Sequence, residues 1–121
     1  MKDILALLHD YFELLYRCDV SRFDAVFHPN ATLQTVGANG YQLIKAADYC
    51  EILRQRKSPE SQAALRRDEI ETVDQTSDSS ALAKVRVLIN GATFQDYLSL
   101  LRIDGQWRIV AKVYCSPPAS P

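Results

Sequence analysis

The chain has 121 residues, and its fourteen Lys and Arg against fifteen Asp and Glu leave a net charge of −1. At 47% hydrophobic and 24% charged it has the composition of an ordinary globular domain, large enough to hold a core without staples. That excludes a disordered, collagen-like or disulfide-scaffold chain, and the charge balance argues against a nucleic-acid binder or a polybasic membrane anchor.

The first element is a helix over residues 3–18. Ile4, Leu7, Leu8, Tyr11, Leu14, Leu15 and Cys18 recur at helical spacing on one broad stripe, and Asp10, Glu13 and Arg17 mark the wet face. The apolar run Ile4–Leu8 is too short for a signal peptide or a membrane span, so a cytoplasmic protein is expected. Ser21 offers an N-cap for a short second helix ending at Phe27, which Pro29 stops because the residue before proline avoids the helical region. A strand is expected over Ala31–Val36, a turn at Gly37, Asn39 and Gly40, and a brief return pairing over Tyr41–Leu43. Lys45–Arg56 reads as a third helix with Ala46, Tyr49, Cys50 and Leu53 as its apolar side. Its end, Arg54 to Lys57, reads as a solvated basic cap.

Beyond Lys57 the chain is β-rich. Residues 66–75 alternate around Ile70 and Val73, and Ala81–Asn90 forms the next strand. Asn90-Gly91 and Asp104-Gly105 are hairpin signals that separate Thr93–Ile103 from Gln106–Cys115. Residues 1–116 are expected to form one domain, with 117–121 a loose Pro-rich tail. Helices at one end and long antiparallel strands after them indicate an α+β domain whose curled sheet encloses a pocket. Cys18, Cys50 and Cys115 are widely spaced and form no zinc pattern with His9 and His28. No metal or cofactor is therefore expected.

Two stretches carry a family resemblance. Residues 11–33, YFELLYRCDVSRFDAVFHPNATL, run helix, Asp, short helix, strand. Residues 96–114, DYLSLLRIDGQWRIVAKVY, run strand, Asp-Gly turn, Trp, strand. Together they resemble the nuclear transport factor 2-like superfamily, a cone of three N-terminal helices and a curved antiparallel sheet shared by ketosteroid isomerase, scytalone dehydratase and polyketide cyclases. Phe27-His28-Pro29 and the ending Ile109–Tyr114 look closest to its lumazine-binding branch. The resemblance implies a small-molecule pocket and a homodimer. In the steroid-isomerase branch the chemistry needs a Tyr on helix 1, an Asp base after the first strand's start, and a protonated acid on a late strand. Matching the motifs puts the Tyr at Tyr11, the base near Thr35, and the late acid near Ser99 or Tyr97. Two of the three groups are then missing, so the pocket is expected to outlast that chemistry.

The residues themselves leave alternatives open. Tyr11 is either a core tyrosine tied to the sheet or a donor to a ligand oxygen, and Tyr16 lies off its stripe, at the rim. Asp96 interrupts an apolar strand. It is a pocket acid or base, an exposed strand end, or the partner of Arg86, Arg108 or Lys112. On the last strand, strict alternation puts Trp107, Ile109, Ala111, Val113 and Cys115 on one face and Arg108, Val110, Lys112 and Tyr114 on the other. Lys112 and Tyr114 are ligand groups if that second face lines the cone, and solvent groups if not. His28 is a turn histidine or, by its intrinsic pKa, a proton-transfer group. The functional expectation is a pocket for a small hydrophobic or aromatic molecule. One version is a cofactor-free acid–base isomerase, cyclase or dehydratase in which Tyr11 polarises an oxygen and Asp96 or His28 moves a proton. The other is a non-catalytic binding or dimerisation module. In either version the surplus of apolar strand faces favours self-association through the sheet, with no nucleic acid and no membrane as partner.

Overall fold

A computed structural model describes residues 1–116; the reading of 117–121 as a tail lies outside the described residues. The order of elements is α1 (Lys2–Arg17), α2 (Phe23–Val26), β1 (Phe27–Gly37), β2 (Gly40–Lys45), α3 (Ala46–Gln55), β3 (Asp68–Gln75), β4 (Ser80–Ile89), β5 (Ala92–Ile103) and β6 (Gln106–Cys115). Short 3₁₀ turns lie at Val20–Arg22 and Glu60–Gln62. The strands form one six-stranded sheet in the order β2-β1-β6-β5-β4-β3. Four of its pairings are antiparallel. The fifth, β1 beside β6, is parallel, and α3 carries the chain from β2 at one edge of the sheet to β3 at the other.

α1 forms because its apolar residues fall on one stripe. Ile4, Leu7, Leu8, Tyr11, Phe12, Leu14 and Leu15 are all buried. Asp19, not Ser21, caps the turn that follows: its carboxylate accepts from the Ser21 N–H at 3.2 Å and the Ser21 hydroxyl at 2.5 Å. Those bonds, the hydroxyl's first, hold the Asp19 carboxyl below its usual range. Phe27 leaves α2 in extended geometry, and Pro29 keeps His28 before it out of the helical region. α3 packs on β1 and β2 through Ala46, Tyr49 and Leu53. Among the described residues no helix is long and apolar enough to cross a membrane.

The hairpin signals hold for a backbone reason. Asn90 and Gly91 have φ of 49° and 87°, and Asp104 and Gly105 have 53° and 80°, the left-handed pair that a two-residue hairpin turn demands. A Cβ at Gly91 or Gly105 would meet nothing within 4 Å, so the glycines answer to φ and not to space.

Strict alternation fails on β6. Ser99 pairs with Ala111, but Leu100 pairs with Ile109, which leaves Val110 as an extra residue. Such a bulge shifts the strand's side chains by one position and bends it. Trp107 and Ile109 face the helices before it, and Lys112 and Tyr114 face them after it. The two-face division expected of β6 is therefore corrected. Val113 is 53% exposed and Cys115 is exposed, whereas Lys112 is only 6% exposed. A second bulge, at Glu71 on β3, lets Ile70 and Val73 share the inner side although they lie three residues apart.

Candidate functional site

Inward positions on β4 and β5 carry Ala83, Val85, Val87, Leu98 and Leu100, all buried. Asp96 falls on the same side of β5, paired across to Val85 on one neighbour and Tyr114 on the other, and is 1% exposed. The sheet register thus forces a carboxylate into an apolar layer, where it needs partners. Tyr11, on the buried stripe of α1, donates its hydroxyl to Asp96 Oδ2 at 2.6 Å. Lys112 Nζ stands 3.8 Å from the same oxygen and 3.5 Å from the Tyr49 hydroxyl on α3. The ammonium also lies 5.2 Å from the ring centres of Tyr11 and Tyr49 and 5.3 Å from that of Tyr114. Three aromatic faces therefore surround it at cation–π distance.

The electrostatics follow. Burial, and then the Asp96 charge, push the Tyr11 hydroxyl well above the usual tyrosine range, so it remains a donor. Burial and, to a lesser degree, the Arg56 charge pull the Lys112 ammonium down. The Tyr49 oxygen and the Asp96 carboxylate outweigh them and hold Lys112 above the usual lysine range.

A cavity of about 330 Å³ opens beside this cluster, at the low end of the range for small-molecule sites. Leu33, Ile44, Ile89 and Phe94 give it apolar walls. Asp96, Lys112 and Tyr114 reach it from the sheet, and Tyr49 and Arg56 from α3. Among the described residues two buried side-chain polar atoms lack a hydrogen-bond partner, Asp96 Oδ1 and Arg56 NH1, and both residues line this cavity. A groove of similar volume, about 370 Å³, runs past Asp3, Asp10 and Trp107, but neither of those atoms belongs to it.

Of the residues expected at a site, Asp96, Lys112 and Tyr114 converge on one cavity. Tyr11 supports Asp96 from behind, with its own hydroxyl committed. Tyr16 is elsewhere: it donates to the Ala64 carbonyl at 2.9 Å and lies under the Arg66 guanidinium. His28 is also elsewhere, its Nδ1 accepting the Asn30 N–H at 3.0 Å. The acid that motif counting puts at Ser99 or Tyr97 is at neither, because both side chains point to the outer face. The inward positions of β5 are Asp96, Leu98 and Leu100, and it is Asp96 that meets the helix tyrosine. Thr35, at the counted base position, donates its hydroxyl to the Tyr114 carbonyl at 2.6 Å. The inner face of β5 thus carries a carboxylate one position from where the motifs were counted, and no carboxylate stands at Thr35.

Tyr49 and Arg56 escaped the sequence reading as site residues, and Arg56 is not the solvated helix end expected. The signal was present: Tyr49, Leu53 and Arg56 stand at i, i+4 and i+7, on one helical stripe. Among the described residues no His, Cys, Asp and Glu cluster could hold a metal ion.

A family model described as "Putative lumazine-binding" matches residues 1–115. Solved structures share the fold. An NTF2-like protein of unknown function from Shewanella baltica superposes with a TM-score of 0.85 at 22% identity, covering 98% of this chain and 94% of that one. A ketosteroid isomerase-like protein from Erwinia carotovora atroseptica gives 0.74 at 16% identity, covering 98% and 96%. A cystatin-like fold protein of unknown function from Nostoc punctiforme gives 0.70 at 16%, covering 98% and 92%. No curated protein matches the sequence.

Proposed function

The chain belongs to the family described as "Putative lumazine-binding", and from that premise we propose that it binds a small, mainly apolar molecule in the cavity beside Asp96, with the ligand's polar edge against Asp96, Lys112 and Tyr49. The observation that carries this reading is Asp96 itself. It lines the cavity and is almost wholly buried, its Oδ2 takes the Tyr11 hydrogen bond, and its Oδ1 is buried with no hydrogen-bond donor among the described residues. A buried acceptor left unsatisfied costs about 1–3 kcal/mol, more when charged, and a ligand hydroxyl or N–H removes that cost. The test is a thermal-shift screen of aromatic heterocycles and polyketide-like ketones on the wild type and on Ala92→Trp, which fills the cavity from its wall. Ligands that stabilise the wild type and not the variant support the reading; equal stabilisation of both refutes this cavity as the site.

A second reading, acid–base catalysis, is favoured by the Tyr11–Asp96 bond, which matches two of the isomerase groups. In it Asp96 takes or returns a ligand proton through Oδ1. Lys112 and Tyr49 stabilise charge on the adjacent ligand oxygen, and Tyr11 serves as a positioning residue. Thr35 supplies no base, so this reading asks Asp96 to do the work of two groups.

The reading extends to a homodimer through the outer sheet face. Tyr97 and Val113 are cross-strand partners there, about half exposed, with Leu82 and Leu101 nearby. Static light scattering at micromolar concentration tests it: twice 13.7 kDa is expected, and a particle of 13.7 kDa refutes it. We further place the protein in the cytoplasm, since three free cysteines suit a reducing compartment.

A further inference from the structure

Arg56 ends α3, its backbone N–H closing the helix on the Ile52 and Leu53 carbonyls at 2.9 and 3.3 Å. The residue lines the cavity and is half-buried, and its NH1 is buried without an acceptor among the described residues. The ion pairs among the described residues leave Arg56 out. Its positive charge nevertheless reaches the site's centre, where it opposes the protonation of both Lys112 and Tyr11. The cavity wall therefore carries two cations and one carboxylate. Asp96 and Lys112 offset each other at 3.8 Å, and Arg56 is left over.

A lysine so placed could shed its proton, but a guanidinium cannot. Burying one guanidinium N–H without an acceptor carries a cost that an anion at the group would relieve. The cavity thus has a donor without an acceptor at Arg56 and an acceptor without a donor at Asp96. The planar fork of arginine suits a carboxylate, which it can bind with two parallel hydrogen bonds.

We propose that the ligand is a small one- or two-ring carboxylic acid, bound as the anion with its carboxylate on Arg56, and carrying a hydroxyl or ring N–H that donates to Asp96 Oδ1. The proposal rests on the reading of this cavity as the ligand site and adds the charge and hydrogen-bonding pattern of what enters it.

The test is calorimetric titration with a panel of hydroxylated one- and two-ring carboxylates, the same rings as primary amides, and the same carboxylates without the hydroxyl. Carboxylates are expected to bind wild type at least about tenfold more tightly than the amides, and the hydroxyl to add a similar factor. Arg56→Gln should bring the acid–amide preference below about threefold, and Arg56→Lys should restore part of it. Amides that bind wild type as tightly as acids overturn the ligand class while leaving the cavity reading intact. No binding by any panel member overturns both. If Arg56→Gln does not fold, the acid–amide comparison on wild type decides alone.

Discussion

Asp96→Asn is the most informative single change. It keeps the shape of the side chain and an oxygen for Tyr11, and it removes the charge. Two losses follow. The bond from Tyr11, 2.6 Å long, changes from charge-assisted to neutral, which costs about 1 kcal/mol. The larger loss is at Lys112. Opposite charges 3.8 Å apart attract by about 4 kcal/mol at an effective dielectric near 20. Breaking a buried pair from one side costs about 3–5 kcal/mol, because the other charge stays buried alone. The adjoining cavity admits solvent, and three aromatic faces remain around the ammonium, so the lower end applies. The expected destabilisation is therefore about 3–4 kcal/mol, or roughly 10–15 °C in Tm for a chain of this length. Urea unfolding followed through Trp107, the chain's one tryptophan, measures it. Lys112→Met completes the cycle: the double variant should recover about 2 kcal/mol relative to the sum of the single effects. A loss below about 1 kcal/mol in Asp96→Asn, with a coupling below about 0.5 kcal/mol, would refute the claim that the two charges hold each other in the core.

Tyr11→Phe leaves the Asp96 carboxylate without its shortest bond and should cost about 2 kcal/mol in the same urea assay. Alkaline pH gives an independent check. Lys112 and Tyr11 both hold their protons more tightly in the folded chain, so the folded state binds more protons than the unfolded one above about pH 10. Their contribution is fully present below that pH. It is lost as pH rises, at up to about 1.4 kcal/mol per pH unit for each group. Tyr11→Phe should make the fall of Tm above pH 10 shallower, and an unchanged slope would speak against a buried, protonated Tyr11. Val113→Glu puts a charge at the centre of the outer sheet face and should convert a dimer to a 13.7 kDa particle in light scattering without lowering the monomer's helix and strand content by circular dichroism.

The elements were legible in the sequence because each rests on local physics. The stripe of α1, the apolar side of α3 and the Asn-Gly and Asp-Gly turns depend on spacing and backbone preference, and all are found where the sequence puts them. β6 runs from Gln106 to Cys115 as expected. What lines the cavity was only half legible. Asp96 stood out as a charge in an apolar strand, but Tyr11 comes from α1, far away in the chain, and Lys112 on the next strand reaches it only because of the bulge at Val110. His28 and Tyr16 carry the right chemistry for a site, yet their groups are spent on Asn30 and Ala64 nearby.

The sequence by itself determined a nearly neutral α+β chain, its helices, its turns, and one carboxylate out of place in a strand. The tertiary structure decided which way β6 faces. One extra residue at Val110, invisible to a period-two pattern, turns Lys112 and Tyr114 from the outer surface into the cavity. A bulge is a property of two paired strands and not of either alone, so the face on which the site's lysine lies is settled only when β5 and β6 meet.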